Sequence, residues 1–286
     1  MTNLLDLIKK YQSQKKAIGH FNFAESSVFK AILECSRELS VPIILGTSEG
    51  ERDFLSVSQA VAWVKAARHA GYEVFLNADH TKSFDKAVEA INAGYDAVLF
   101  DGGHLPLEEN IKITKRVVEY AKATNPNIVI EGELGYIGNS SKLLKELPEG
   151  VAVLANQLTK ALEAKHFVEA TGVDMLAPAV GNIHGMLIHA KEPDLNIGRI
   201  KEIKELVSIP LVLHGASGNS DSDIQRAVHA GVSIVHINTE IRLAWRNALD
   251  AALLKDTDEI SPYKLLEAPI AEVKRVIRHK LSLYSK

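Results

Sequence analysis

Eight short apolar runs constrain this chain more than any other feature, because polar residues lie at or close to the end of each run and a helix-like pattern separates it from the next. The runs lie at residues 17–23, 41–46, 73–78, 97–100, 128–131, 175–180, 211–213 and 233–237. Strands that alternate with helices pair in parallel through right-handed crossovers, and eight such strands can close into a barrel. The pattern therefore predicts an α/β fold, the TIM or (β/α)8 barrel.

Apolar residues at helical spacing fill the intervals between these runs. Ser26 or Ser27 is expected to cap a helix that runs towards Leu39. Further helices are predicted at residues 57–69, 83–92, 107–123, 156–170, 197–207 and 221–230, with another from residue 240. A short helix around Leu4 to Tyr11 and a last helix over Pro262 to Lys286 lie outside the repeat as amino-terminal and carboxyl-terminal extensions.

An open, doubly wound sheet is the alternative arrangement of the same elements. The Gly-x-Gly-x-x-Gly turn typical of that fold does not follow the first run, and polar residues end the runs around the whole chain. Both observations favour the barrel. Because no linker, repeat or low-complexity tract interrupts the sequence, residues 1–286 are expected to form one domain.

Charge and cysteine content narrow the functional class. The chain carries 33 basic and 36 acidic residues, with no basic stripe of the kind that binds nucleic acid or anionic membranes. The single cysteine, Cys35, cannot form an internal disulfide, and residues 1–16 lack an apolar stretch suited to export. We expect a cytoplasmic protein with a small ligand, and neither nucleic acid nor membrane as partner.

Three of the runs lead to a histidine where a strand should give way to a loop: His80, His184 and His214. In a parallel barrel these ends share one rim, and three imidazoles suit Zn²⁺ or another divalent ion with one position left open. The alternative is that each is an ordinary hydrogen-bonded histidine. Four other histidines, at positions 69, 166, 229 and 279, fall in predicted helices, and His104 and His189 in loops stay undecided.

Carboxylates accompany these histidines. Asp79 precedes His80 and could donate or accept a proton on a bound substrate, or merely cap a helix or loop. Glu131 and Glu133 share one face of a strand and could support the histidine ligands or form a second cation site, for which Asp101 is a further candidate.

Small residues after the seventh strand and polar ones after the eighth suggest where a phosphate would bind. Gly215, Ala216 and Ser217 follow His214, and Asn238-Thr239 precede a helix. Backbone N–H groups exposed at such positions bind phosphate, and barrel enzymes often bind it there.

At these residues the chain resembles the class II, metal-dependent ketose-bisphosphate aldolases, a family that includes fructose- and tagatose-bisphosphate aldolases. The resemblance covers nearly the full length. The matching stretches include 41–50 (VPIILGTSEG), 79–80 with 83–84, 100–110 (FDGGHLPLEEN), 131–138 (EGELGYIG), 181–185 (GNIHG) and 211–218 (LVLHGASG).

The resemblance implies a barrel enzyme that reversibly cleaves a ketose 1,6-bisphosphate to dihydroxyacetone phosphate and glyceraldehyde 3-phosphate. A divalent ion on His80, His184 and His214 would stabilise the enediolate, and Asp79 would be catalytic. Phosphate binding would fall on Gly185, Gly215, Ala216, Ser217, Asn238 and Thr239, with Asn22 and Ser48 near the substrate. A homodimer or homotetramer is expected, and a monovalent cation is a further candidate cofactor.

Two departures from the family pattern bear on chemistry. After Gly138 the family has an acidic loop whose glutamate moves a proton, and here Asn139 follows, with Glu146 and Glu149 as distant candidates. Position 236 holds histidine where the family has asparagine, so His236 is a candidate base or marks a changed substrate.

Three alternatives stay open at the level of sequence. The first is an aldolase of the same family with a different aldehyde partner. The second is an impaired relative that only binds sugar phosphates. The third, a metal-dependent hydrolase, is disfavoured because His20 is followed by Phe21-Asn22 rather than by the His-x-His pair common in such barrels.

Overall fold

A computed structural model describes residues 3–139 and 141–284 of the chain. Its strands are β1 (Ile18–Asn22), β2 (Ile43–Thr47), β3 (Val74–Thr81), β4 (Ala97–Phe100), β5 (Val129–Leu134), β6 (Leu143–Leu144), β7 (Met175–Pro178), β8 (Met186–Leu187), β9 (Leu211–Leu213) and β10 (Val232–Ile237). Its helices are α1 (Leu4–Ser13), α2 (Ser26–Leu39), α3 (Glu49–Leu55), α4 (Val57–His69), α5 (Phe84–Ala93), α6 (Leu107–Thr124), α7 (Ala161–Thr171), α8 (Ile197–Leu206), α9 (Asp221–His229), α10 (Thr239–Lys255), α11 (Pro262–Leu265) and α12 (Glu267–Tyr284).

Eight parallel strands close into a barrel in the order β1-β10-β9-β7-β5-β4-β3-β2. Each of the eight apolar runs supplies one of these strands, so the predicted barrel is confirmed and the open sheet is excluded. Within the described residues, no helix combines the length and the apolar character needed to cross a bilayer.

The barrel interior is apolar at its amino-terminal end. Ile18, Ile44, Phe75 and Ile234 pack there together with residues of α1, which closes the end of the barrel. A larger apolar core lies between the strands and the surrounding helices. Burial on both faces explains why the strands are near-continuous apolar runs.

Polar residues occupy the next levels of the interior. Side chains two residues apart share one face of a strand, so the residue two positions beyond an interior apolar residue also points inwards. In four strands this pattern gives the pairs Ile18 and His20, Phe75 and Asn77, Val129 and Glu131, and Ile234 and His236. The interior of the barrel is therefore apolar at its amino-terminal end and polar towards its carboxyl-terminal end.

Several predicted boundaries were wrong. Glu25, not Ser26 or Ser27, caps α2, because its carboxylate accepts the N–H groups of Ser27 and Val28 at 2.6 and 2.8 Å. The helix predicted from residue 156 begins at Ala161, after a turn, and the run over 175–180 is a strand only to Pro178. The last segment divides into α11 and α12, and Lys286 lies outside the described residues.

Helix α3 and strands β6 and β8 were not predicted. Helix α3 follows β2 directly, and the Ser-x-x-Glu spacing of a capping box at Ser48 and Glu51 was the signal in the sequence that could have indicated it. Strands β6 and β8 pair outside the barrel and join the segment after Gly138 to the loop after His184.

Candidate active site

The three predicted histidine ligands meet at the carboxyl-terminal rim of the barrel. The ring centroids of His80 and His184 lie 4.5 Å apart, those of His80 and His214 4.8 Å apart, and those of His184 and His214 6.0 Å apart. His80 and His214 lie more than a hundred positions apart in the sequence, so closure of the sheet is what brings them together.

Carboxylates orient two of the rings. His80 Nδ1 is 3.0 Å from Asp101 Oδ2, and His214 Nε2 is 2.7 Å from Glu131 Oε1. Such partners fix the tautomer and direction of a metal-ligating imidazole. His80 Nε2, His214 Nδ1 and His184 Nε2 are all buried without a hydrogen-bond partner.

Buried nitrogens that lack partners are costly unless something binds them. One ligand atom from each of the three histidines and one from Glu133 lie within 4.8 Å of one another. Three imidazoles and a carboxylate are a suitable set for a divalent transition metal. The residues present therefore fit the metal ion that the sequence predicts.

Two other groupings of potential ligands fit a metal less well. His20, Asp79 and His236 lie close together, as do Glu131, His214 and His236. The rings of His20 and His236 are stacked with centroids 3.5 Å apart and their planes at 7°, so their in-plane lone pairs lie in nearly parallel planes and cannot both point at one ion. Glu131 already bonds His214.

Several buried carboxyl groups lie among the histidines of the site. Burial opposes ionisation of Asp79, yet His80 and His236 hold the pKa of its carboxyl well below the usual range. Burial likewise acts against a charged His80, but Asp79, Asp101 and Glu133 raise its pKa to about 10. Burial also raises the pKa of Glu133 well above its usual value. Such a concentration of acids favours a bound cation.

A local distortion of β3 lets Asp79 and His80 serve the same site. Neighbouring residues on a regular strand point to opposite faces, but the pairing of β3 with β4 shifts between Ala78 and Thr81, and His80 has a φ of 46°. Asp79 Oδ2 accepts a hydrogen bond of 2.9 Å from the Asn22 side chain, which leaves Oδ1 without a hydrogen-bond partner.

The unpredicted helix α3 stabilises this distortion. Arg52, buried beneath the rim, donates to the Asp79 backbone carbonyl at 3.1 Å and to the Thr81 hydroxyl at 3.1 Å. Glu51 accepts from Asn22 at 2.8 Å and from Arg242 of α10 at 2.5 Å. No local pattern in the sequence links residues so far apart, so sequence reasoning could not find these contacts.

His236 lies beneath the predicted metal ligands. Its ring stacks on His20 with centroids 3.5 Å apart, and Nδ1 is 3.4 Å from Asp79 Oδ1. His20 is also within 3.1 Å of the Asn77 amide. Gly46 makes room for this pair, because a Cβ there would stand 2.1 Å from His20 Cε1. His20 therefore belongs to the site, although it was not among the predicted site residues.

Two adjoining cavities open at this rim. The outer one, of about 350 Å³, is lined by Ser48, Asp101 and Arg242 among others, and the inner one by Asn22 and His236. Asp79, His80, His184 and Asn238 line both. Glu146 and Glu149 are exposed and line neither, and His104 and His189 are also exposed.

The predicted phosphate-binding residues border the inner cavity. Gly185, Gly215, Ser217, Asn238 and Thr239 line it. Ala216 is fully buried in the outer core, so any contribution from it would come through its backbone. Gly215 has a φ of 57°, and a Cβ there would lie 2.2 Å from the Ile183 carbonyl oxygen, so the position requires glycine.

Comparison with known proteins agrees with this geometry. Residues 2–286 match the family model described as "Fructose-bisphosphate aldolase class-II". The chain belongs to this family. A fructose-bisphosphate aldolase of Geobacillus stearothermophilus is 34% identical over 270 residues, which is 93% of this chain and 90% of the relative. A fructose-bisphosphate aldolase of Staphylococcus aureus strain Mu50 is 35% identical, with the same coverage.

A solved structure extends the likeness to three dimensions. The YdjI aldolase of Escherichia coli K12 is 28% identical and superposes with a TM-score of 0.82, covering 99% of this chain and 97% of that one. The family assignment and the fold predicted from sequence are thus confirmed. The chain is a class II aldolase, a metal-dependent carbon–carbon lyase of a family that acts on phosphorylated sugars.

Proposed function

We propose that this aldolase reversibly cleaves a ketose 1,6-bisphosphate, fructose or tagatose, to dihydroxyacetone phosphate and glyceraldehyde 3-phosphate. The observation that carries the proposal is the convergence of three unpartnered imidazole nitrogens beside Asp79. Loops that contain glycine and hydroxyl residues border the same cavity. This arrangement supplies a cation site, a proton acceptor and a phosphate site within one pair of cavities.

His80, His184 and His214 would hold the metal, for which we propose Zn²⁺ because three neutral nitrogen ligands suit it. When bound, this ion supplies Lewis-acid stabilisation of the negative charge that develops on the substrate. Asp101 and Glu131 orient two of the imidazoles through the contacts described above. Glu133 is a candidate fourth ligand, or with Asp101 part of a second cation site.

Proton transfer is assigned to residues that line the inner cavity. As the bond between C3 and C4 breaks, Asp79 would take the proton of the C4 hydroxyl and C4 becomes the aldehyde carbon. The electron pair left on C3 then takes a proton to give dihydroxyacetone phosphate. We propose His236 as the donor, since both of its ring nitrogens lack hydrogen-bond partners and it borders the same cavity.

Substrate phosphates would be held at the rim. The phosphate of the dihydroxyacetone half would lie against Gly185, Gly215, Ala216, Ser217, Asn238 and Thr239. Asn22 holds Asp79 in place, and Ser48 lines the outer cavity where the aldehyde half would extend. We further propose that the whole chain acts as one domain in the cytoplasm and assembles as a homodimer or homotetramer.

A substrate panel tests this function. Purified protein supplied with zinc should release triose phosphate from fructose or tagatose 1,6-bisphosphate, with the 1-phosphate and 6-phosphate of each sugar as controls. A chelator should stop the release and Zn²⁺ should restore it. Cleavage of other phosphorylated ketoses alone would indicate a different aldehyde partner, and binding without turnover would indicate an impaired relative.

The role of His236 has its own test. His236→Asn should lower the exchange of solvent protons into dihydroxyacetone phosphate by at least about 100-fold, because general acid–base groups contribute on this scale. Exchange can be followed by NMR in deuterated water, with the exposed His69→Asn as a matched control. Unchanged exchange in His236→Asn would refute the assignment.

A further inference from the structure

An ion pair between a buried lysine and a partly buried glutamate connects the last helix of the chain to the loop that follows His214. Lys280 of α12 is only 4% exposed, and its Nζ lies 2.7 Å from Glu240 Oε1, at the start of α10. A buried ammonium group is costly without a partner, so this carboxylate is what allows a lysine at that position. The pair lies outside both cavities of the active site, since neither residue lines them.

Glu240 also holds the loop itself. The same oxygen, Oε1, accepts the backbone N–H of Gly218 at 2.8 Å, and the backbone N–H of Glu240 donates to Ser217 Oγ at 3.3 Å. One residue of α10 therefore hydrogen-bonds to two consecutive residues of the loop, Gly218 and Ser217. Lys280 holds the carboxylate that makes the first of these contacts.

We infer that Lys280 is a positioning residue for phosphate binding: by holding the Glu240 carboxylate it sets the backbone of Gly218, the residue that follows Ser217 at the inner cavity. The inference rests on the proposed phosphate-binding role of this loop. It makes α12, which packs on α2 and α10 at the outside of the barrel, a determinant of substrate affinity. Without the ammonium group, Glu240 would lose its counter-charge and turn towards water, and Gly218 would lose its acceptor.

The expected signature is a loss of phosphate affinity with little loss of turnover. Lys280→Met keeps the length and the apolar stem of the side chain but removes the charge. We expect the KM for the bisphosphate and the inhibition constant of inorganic phosphate to rise at least about tenfold, because small displacements of a positioning group have effects of this size or larger. The kcat should stay within about threefold, since the ligand-bearing strands and Asp79 are untouched.

Lys274→Met provides a matched control on the same helix. Lys274 bonds Glu34 at 2.5 Å and Glu38 at 2.8 Å, both on α2, so this substitution also removes a partly buried ion pair from α12. It should lower the melting temperature without changing phosphate affinity. Lys280→Arg and Glu240→Gln extend the series, and Lys280→Arg should recover most of the affinity because it keeps the charge.

Calorimetric titration with inorganic phosphate separates the inference from the proposed function. The Ser217→Ala variant shows how much of the phosphate affinity depends on this loop. If the wild type cleaves bisphosphates but Lys280→Met and Lys274→Met have the same KM and phosphate affinity, the inference is overturned and the function stands. If no bisphosphate is cleaved but phosphate binding depends on Lys280 and Ser217, the function fails and the inference stands. Absence of phosphate binding by the wild type would overturn the inference. Should Lys280→Met not fold, Glu240→Gln and Lys280→Arg decide the question.

Discussion

Replacing His184 by alanine is expected to reduce kcat/KM by about 1,000-fold or more and to abolish retention of zinc through dialysis. A Lewis-acid metal contributes several kcal/mol of stabilisation to the transition state, and each 1.36 kcal/mol corresponds to about tenfold in rate. Nε2 of His184, a proposed metal ligand, has no hydrogen-bond partner in the protein, as is also the case for Nε2 of His80 and Nδ1 of His214. Removal of the His184 imidazole should therefore lower the catalytic rate much more than the free energy of unfolding.

Zinc content by mass spectrometry, the melting temperature and the rate of triose phosphate release together check this result. His69→Ala, an exposed histidine at the end of α4, is the control for loss of an imidazole far from the site. A His184→Ala protein that keeps its zinc, or that cleaves substrate within tenfold of the wild-type rate, would show that the metal is held elsewhere.

The sequence was sufficient to predict the barrel because its signal is local. Each strand appears as an apolar run, and polar residues lie at or close to the end of each run, near the rim. The histidines at positions 80, 184 and 214 could be selected for that reason, even though their meeting depends on closure of the sheet. Glu131 and Asp101 were candidates for supporting these histidines because of their positions at strand ends, but the sequence could not tell which carboxylate pairs with which ring. The structure pairs Asp101 with His80 and Glu131 with His214.

The supporting contacts could not be predicted for a physical reason. Arg242 and Glu51 lie 191 positions apart, and Lys280 and Glu240 belong to different helices. Nothing in the local sequence distinguishes such a residue from a solvated charge on a helix surface. Gly46 illustrates the same limit, since within its strand it is one apolar-run residue among others, and only the neighbouring ring of His20 shows why a side chain is not tolerated there.

Asp79→Asn is the second substitution with a large expected effect, a fall in kcat of about 100-fold to 10,000-fold with KM and zinc content nearly unchanged. An amide at this position can still accept the hydrogen bond from Asn22, so the bend of β3 and the ring of His80 should stay in place. What it cannot do is take a proton from the C4 hydroxyl. Steady-state rates, zinc content and the melting temperature of the variant measure these effects separately.

Asp101→Asn provides the comparison that distinguishes a proton acceptor from a metal support. Asp101 orients His80 through Nδ1, and loss of such a partner typically weakens metal binding by about 10-fold to 100-fold. Excess zinc should therefore restore activity to Asp101→Asn. It should not restore activity to Asp79→Asn, because a saturated metal site does not replace a missing base. If added zinc rescues both variants equally, Asp79 acts through the metal and its assignment as the proton acceptor is wrong.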